Sequence, residues 1–457
     1  FNQCLEQVKL PKSLKTLMFG FEFNQKLENL PSGLQSLTLD GCFNQSLEQV
    51  KLPSNLRYLQ FGYKFNQSLD QVNFPSGLQD LIFGDGFNCS LERVSLPNGL
   101  QSLTFGERFD QSLDLVKLPM DLKSLTLGYC FDQKLEHVNF PSGLQMLTFG
   151  CDFDQSLEGV NLPENLQDLT FGFYFNQSMD NVKLPEGLQS LTLGHHFNQT
   201  FSLPKLQKLQ NLTLGDKFDQ PLEPMVELQS LWINGKLLEQ MAMMSFCHLQ
   251  SLTIAGGLNG KVKLPSGLES LTLGDEFNQT LDLLALPEDL QSLTFGREFN
   301  QSVENVEWPK KLRFLTFGQE FDQRLDQITF PDLESLTLGD RFNQKMDQTM
   351  LPRGLKTLKF GLWFNQNVDQ MTLPSGLESL TFGQNFNQCV DHLIPPSQLH
   401  TLIFGFRFNQ SLDKVNMPSG LRRLALGYWF KESAACADFW MNLQEFSCGC
   451  LSVSCVQ

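Results

Sequence analysis

Tyrosine, histidine and positive charge are all scarce in this chain of 457 residues: Tyr occurs five times and His six, against 41 Phe. Lys and Arg total 34 against 50 Asp and Glu, a formal net charge of -16. So acidic a chain excludes clamping of nucleic acid or of an anionic membrane, and favours basic partners or cations. No apolar run is long enough to span a bilayer, so direct membrane insertion is not expected. No secretory signal opens the chain, but it begins without Met and inside a repeating unit, as a fragment or processed form would, so the missing signal proves little. No Gly-rich phosphate loop, nucleophile elbow or paired acid-base motif stands out. The expectation is therefore a protein that is not an enzyme and needs no cofactor. The 11 Cys are scattered, unlike the dense framework of a small disulfide scaffold. Most stand where neighbouring repeats carry Ser or Lys, which favours a reducing, cytoplasmic setting over secretion. Cys130 and Cys151, one repeat apart and nearly in register, are the pair that could face each other.

What the chain does contain is one phrase written many times. Phenylalanines mark unit starts at Phe1, Phe23, Phe43, Phe65, Phe87, Phe109, Phe131, Phe153, Phe175 and Phe197, and again at Phe277, Phe299, Phe321, Phe342, Phe364, Phe386 and Phe408. A period of about 22 residues, in about 20 units, predicts a solenoid instead of a set of globular domains. In the unit "FNQSLDQVNFPSGLQDLIFGDG" (residues 65–86) the apolar residues are Phe65, Leu69, Val72, Phe74, Leu78, Leu81 and Phe83. Leu81 and Phe83 alternate with Asp80 and Ile82, the period of a half-buried strand. Pro75, Ser76 and Gly77 carry turn chemistry before the strand, and Gly84 follows it where a bend is cheap only for glycine. One unit cannot bury its single apolar face, whereas stacked units bury a continuous core under a parallel sheet. Too little chain remains between strands for a helix, so the return arms should be extended or hold a short turn.

The spacing L-x-x-L-x-L from Leu78 to Phe83 is that of a leucine-rich repeat. Together with the recurring FNQ, LP and FG it resembles the FNIP repeat, a short leucine-rich-repeat subclass, over nearly the whole chain. Gln-Ser usually stands in place of the Ile-Pro after Phe-Asn, and only Phe218, Asp219, Gln220 and Pro221 restore the proline. The resemblance implies a protein-interaction array without catalytic residues, its parallel sheet on a concave face where partners bind.

Most letters of the unit have a structural explanation. The excess of Phe over Tyr fits rings stacked in a dry interior, where a hydroxyl would need a partner. The Asn or Asp after each Phe, such as Asn66, Asn88, Asp110 and Asp132, stands beside a bend and can bond its backbone. The following Gln67, Gln111 and Gln133 suit an amide ladder between rungs. The same letters spell glycosylation sequons at Asn44, Asn66, Asn88, Asn176, Asn198, Asn278 and Asn300, which an inward-facing ladder would make useless. An acidic column runs through Glu6, Glu28, Glu48, Asp70, Glu92, Asp114, Glu136, Glu158 and Asp180, then from Asp282 to Asp413. It reads as a solvated edge, relieved in part by Lys9, Lys51, Lys117 and Lys183. The outward strand pair is usually Ser-x-Thr, as at Ser102 and Thr104 or Ser190 and Thr192. These are good sheet residues, and a regular hydroxyl array is also the look of an ice-binding surface.

The two residues after each strand glycine vary most. There, on the rim, stand Tyr63, Phe173, Tyr174, His195, His196, Trp363, Phe406, Arg407, Tyr428 and Trp429. Exposed aromatic and Arg residues are the usual anchors of interfaces. The His pair lacks the further ligands of a metal site, and no metal is expected.

Regular units occupy residues 1–220 and 263–429. Between them, 221–262 is irregular: Trp232 takes the outward place of Thr, and Leu237 to Phe246 reads as a short helix. Residues 430–457 read as a degenerate cap, a short helix and a last strand near Leu443 and Phe446. Cys436, Cys448, Cys450 and Cys455 there have no standard zinc spacing. The predicted function is a non-enzymatic scaffold that binds a protein partner through the strand face and rim. The alternatives are a structural component of a filament or larger complex, self-associating end to end through exposed sheet edges, and an ice-binding surface.

Overall fold

The computed structural model describes residues 2–6, 8–200, 206–222, 225, 227–238, 246, 248–431, 445–448 and 451–454. Its contacts separate two units, Phe1–Leu228 and Gln229–Gln457, and the division falls within the irregular stretch. Each is a parallel β-solenoid with almost no helix.

A rung is a coil with three corners. In residues 65–86 and the start of the next rung, Val72 N–H donates to Leu69 C=O at 3.0 Å, Leu78 N–H to Pro75 C=O at 3.0 Å, and Phe87 N–H to Gly84 C=O at 3.2 Å. Each corner thus satisfies backbone groups that no sheet partner reaches. The only regular element between corners is the strand Asp80–Ile82, in which Leu81 is buried and its neighbours are half-buried. Of the seven apolar residues read in this unit six are buried, and Phe74 is half-buried at a corner. In the first unit ten strands, from Thr16–Phe19 to Asn211–Thr213, pair in chain order among the described residues. In the second, eleven run from Ser230–Asn234 to Glu445–Cys448 in the same way, and Leu451–Ser454 pairs antiparallel with the last. Leu lies on Leu in successive rungs, Leu81 against Leu103 and Leu103 against Leu125.

That register builds two columns of stacked rings. Rings that open the rung follow one another at 6.1 Å, Phe65 to Phe87 to Phe109. Rings that close the strand stack along the axis at 5.4 Å, Phe83 to Phe105, and against the next opening ring at 4.0 Å, Phe83 to Phe87. Full burial of such side chains is worth roughly 1.5–3 kcal/mol each. The glycine after the strand lets the rungs come this close. A Cβ added to Gly150 would collide with the carbonyl oxygen of Gly128, so the backbone would have to shift.

The polar side of the same corner is an Asx ladder. The Oδ1 of Asp110 accepts the Asp132 N–H at 3.0 Å and the Gln133 Nε2 at 2.8 Å; Asp132 does the same for Asp154 and Gln155, at 2.9 and 3.0 Å. Asn serves equally, as Asn44 does for Asn66 and Gln67. The expected amide ladder between rungs thus runs from each Gln side chain to the Asx oxygen of the preceding rung, as Gln67 to Asn44, Gln111 to Asn88 and Gln133 to Asp110. The ladder lies near the surface: Asn66, Asn88 and Asn278 are exposed and Asn44, Asn176, Asn198 and Asn300 half-buried, so the fold does not fully bury the sequons.

Other expectations are corrected or narrowed. Cys130 and Cys151 are both free, because a full repeat sets Cys151 beside Tyr129 and Cys130 beside Asp152. In the irregular stretch a 3-10 turn spans Gly235–Leu237, capped by the Asn234 side chain, and most of the expected helix lies outside the described residues. A second 3-10 turn at Leu281–Leu283 precedes a small parallel pairing of Val262–Lys263 with Leu284–Ala285. The expected terminal helix, Leu443, Cys436, Cys450 and Cys455 lie outside the described residues.

Gly150→Ala should lower stability by about 1–3 kcal/mol or more in urea unfolding, whereas Gly267→Ala, with open space around it, should stay within about 1 kcal/mol. Asp132→Ala removes an acceptor from two donors and should cost about 1–2 kcal/mol. Asp132→Asn keeps the oxygen and should be near neutral.

Candidate functional site

The rim is built by the same close approach. After the glycine, each rung holds the next through backbone bonds: Asp152 N–H donates to Tyr129 C=O at 2.9 Å, Tyr174 N–H to Cys151 C=O at 2.9 Å, and His196 N–H to Phe173 C=O at 3.0 Å. With their backbone held, the two side chains of each rim pair project outward in two adjacent columns. Nothing in the core specifies them.

In the first unit the structure brings four of the expected anchors together. Phe173 and His195 stack parallel, with centroids 4.5 Å apart and planes 2° from coincident. Tyr174 meets Phe173 edge-on at 5.0 Å, and His196 lies 5.1 Å from Phe173 and 5.2 Å from Tyr174. His195 Nδ1 lies 2.6 Å from Asp216 Oδ2 on the next rung, a partner the sequence did not single out. Tyr63 is exposed on an earlier rung, apart from this group. In the second unit Phe406 and Tyr428 stack at 5.3 Å and Trp429 lies 6.4 Å from Phe406, with Arg407 exposed beside them. Trp363, 61% exposed, stands with Leu362 two rungs before. Trp232 is not on the rim: it occupies the outward strand position, in register with Thr253.

Apart from the outward Asp80, the strand face carries features that sequence reasoning missed. Its Ser-x-Thr array is interrupted by exposed Met18, Met146 and Phe314 and by Tyr58, Asp80, Asp168 and Lys359. Beside it, just before the strands, Glu334 receives Lys356 Nζ at 2.7 Å and lies 4.0 Å from Arg313 Nε. The signal was visible as charged residues where first-unit rungs mostly hold Gln. The Lys356 hydrogen bond, and then its charge, hold the Glu334 carboxyl below the usual glutamate range. Tyr58 donates its hydroxyl to Gln60 at 2.6 Å, and burial, then the Asp80 charge, raises its phenol.

The acidic column is mostly exposed, and its relief differs from expectation. Among the described residues, ion pairs come from two places before the carboxylate, Arg324 to Asp326 at 2.7 Å, or from the next rung, Lys414 to Asp391 at 2.8 Å. They do not come from Lys9, Lys51, Lys117 or Lys183. Among the described residues no group of three or more His, Cys, Asp or Glu is placed to hold a metal, and no helix is long and apolar enough to cross a membrane.

The FNIP Repeat family pattern matches residues 1–42, 43–86, 65–108, 109–152, 153–196, 260–298, 332–362 and 364–407, more than half of the chain. The chain belongs to the FNIP-repeat family. This FNIP-repeat protein is also similar in structure to CroV588, described as a novel circular LRR protein, with 33% identity and a TM-score of 0.55 over 93% of this chain and 67% of that one. A chain of the mouse RP105/MD-1 complex is similar at 12% identity and a TM-score of 0.49, over 97% of this chain and 91% of that one. No curated protein matches. The FNIP repeats thus form a fold of the leucine-rich-repeat type, an architecture typical of protein-interaction scaffolds and generally non-enzymatic.

Lys356→Met should move the Glu334 pKa up toward the ordinary value near about 4.3, as read by NMR titration of the side chain. Because the folded pKa is lowered, this pair contributes stability above the ordinary glutamate pKa and loses it as pH falls through the folded value. The variant should lack that pH dependence.

Proposed function

We propose that this FNIP-repeat protein is a non-enzymatic scaffold that holds a protein partner through the strand face and the variable rim. The observation that carries this reading is the exposure of clustered rings where the rung has no structural use for them. Phe173 and Tyr174 are 42% and 47% exposed, and Tyr428 and Trp429 are each 54% exposed, while the repeated Phe, Leu, Gly and Asx are consumed by stacking. Large rings held in place by a hydrogen-bonded rim lose little entropy on binding, which is why such residues anchor interfaces. Trp232 on the strand Ser230–Asn234 serves as an anchor on the strand face. In this reading residues 221–262 are a docking stretch between the regular arrays 1–220 and 263–429, with 430–457 as cap.

Two observations weigh against the other uses. The last parallel strand is already paired with the antiparallel Leu451–Ser454, so its own edge is not open to a second copy. The broken Ser-x-Thr array offers no long regular hydroxyl lattice.

Two double variants, Phe173→Ser with Tyr174→Ser and Phe406→Ser with Trp429→Ser, test the rim, and Trp232→Ser tests the strand face. All should fold with unchanged thermal midpoints, since the side chains are not in the core. At least one should lose a partner that the unaltered protein captures by cross-linking. Retention of every captured partner by all three variants would contradict the site assignment.

A further inference from the structure

The two ring clusters sit in different electrostatic surroundings. Around the first, rim register places Asp152 in the column of Tyr174 and His196, one rung before Tyr174, since Asp152 and Tyr174 donate to equivalent carbonyls of their preceding rungs. Asp216 closes the other side through His195, and Lys217 is the next residue in the His196 column. The field of Asp152 is felt by its neighbours. The Cys130 thiol is pushed up by burial and then by that carboxylate, and the Tyr129 phenol by Cys151 and, in lesser part, by Asp152. The second cluster, Phe406, Tyr428 and Trp429, has Arg407 beside it and the uncharged pair Gln384 and Asn385 on the preceding rung.

A ring face carries negative quadrupolar charge, so exposed rings next to a carboxylate attract a guanidinium or ammonium group and repel an anion. Arginine fits best, because its flat fork can stack on one ring and bond a carboxylate in the same pose. The net charge of -16 adds long-range attraction for such a ligand.

We propose that the patch formed by Phe173, Tyr174, His196 and Asp152 docks an arginine- or lysine-bearing segment of a protein partner. The basic side chain stacks on the ring of Tyr174, at the edge of Phe173, and pairs with Asp152, which precedes Tyr174 in the same rim column. This rests on the scaffold reading and names the partner chemistry for one of its two rim clusters. The cluster at Phe406 takes no basic segment, since its preceding rim pair, Gln384 and Asn385, supplies no carboxylate to offset Arg407, whereas Asp152 and Asp216 flank the first cluster and outweigh Lys217.

Fluorescence anisotropy on the full chain at about 0.15 M salt tests this with three labelled peptides of equal length, carrying spaced arginines, the uncharged analogue citrulline, or glutamates. The arginine peptide should bind and the other two should not. The double variant Phe173→Ser with Tyr174→Ser leaves net charge unchanged and should weaken binding by about 10-fold; Asp152→Asn should weaken it as well, and Phe406→Ser with Trp429→Ser should leave it unaltered. Thermal melts confirm that each variant is folded. If the arginine peptide fails to bind, or binds the Phe173, Tyr174 variant within about twofold of the unaltered chain, the inference is overturned. A partner still lost from the rim variants would then leave the scaffold reading standing. Arginine binding at this patch, with every captured partner indifferent to the rim, would support the inference and count against the wider reading.

Discussion

Every feature of this protein depends on holding one rung over the next with each Phe above the last. A rung of 22 residues has three corners, a strand of three or four residues and no second layer, so it shields nothing by itself. Its leucines and phenylalanines leave water only when the neighbouring rung repeats them in register. The ring columns at 4.0–6.1 Å are that condition made visible. Two further devices hold the spacing from outside the core. The glycine after the strand removes the Cβ that would collide with the carbonyl of the preceding rung, and the Asx oxygen ties its corner to the same corner of the next rung, in most rungs by two hydrogen bonds. Apolar contact sets the preference for stacking, and these polar and steric constraints set its register.

A repeat so fully engaged leaves few positions for recognition. Asn, which appears in the sequence as the most conspicuous polar letter, is spent on the ladder, and Ser at the acidic corner caps the following carboxylate's N–H, as Ser68 does for Asp70 at 3.2 Å. The rim pair and the outward strand positions are what remain. They are held on a rigid backbone without being chosen by it, so their identities vary from rung to rung while their geometry does not. Binding chemistry can then differ along one chain, with carboxylates around one ring cluster and an arginine beside another.

The distribution of charge follows the same logic. Carboxylates on the return arms stack rung over rung and are tolerated because most are exposed, and a few are paired with a cation on the same or the next rung. Near the strand face of the second unit the signs alternate, through Arg313, Glu334 and Lys356, and the pairs lie in contact. The net acidity of the chain therefore belongs largely to the arms, and the strand face is closer to balanced.

The sequence alone determined the architecture, because a strict period and an alternating strand pattern admit few ways to bury the same leucines and phenylalanines. It also marked the rim, since variability against a fixed background shows where the core makes no demand. It did not show which rim residues meet. That depends on offsets of a single residue between rungs, which put Cys151 beside Tyr129 instead of Cys130 and set His195 flat on Phe173. Nor could it show that Gln reaches back to Asx, or that Lys356 reaches Glu334, because both contacts cross between rungs about 22 residues apart. Local sequence specifies a rung; the neighbours of a side chain are specified only when the rungs are stacked.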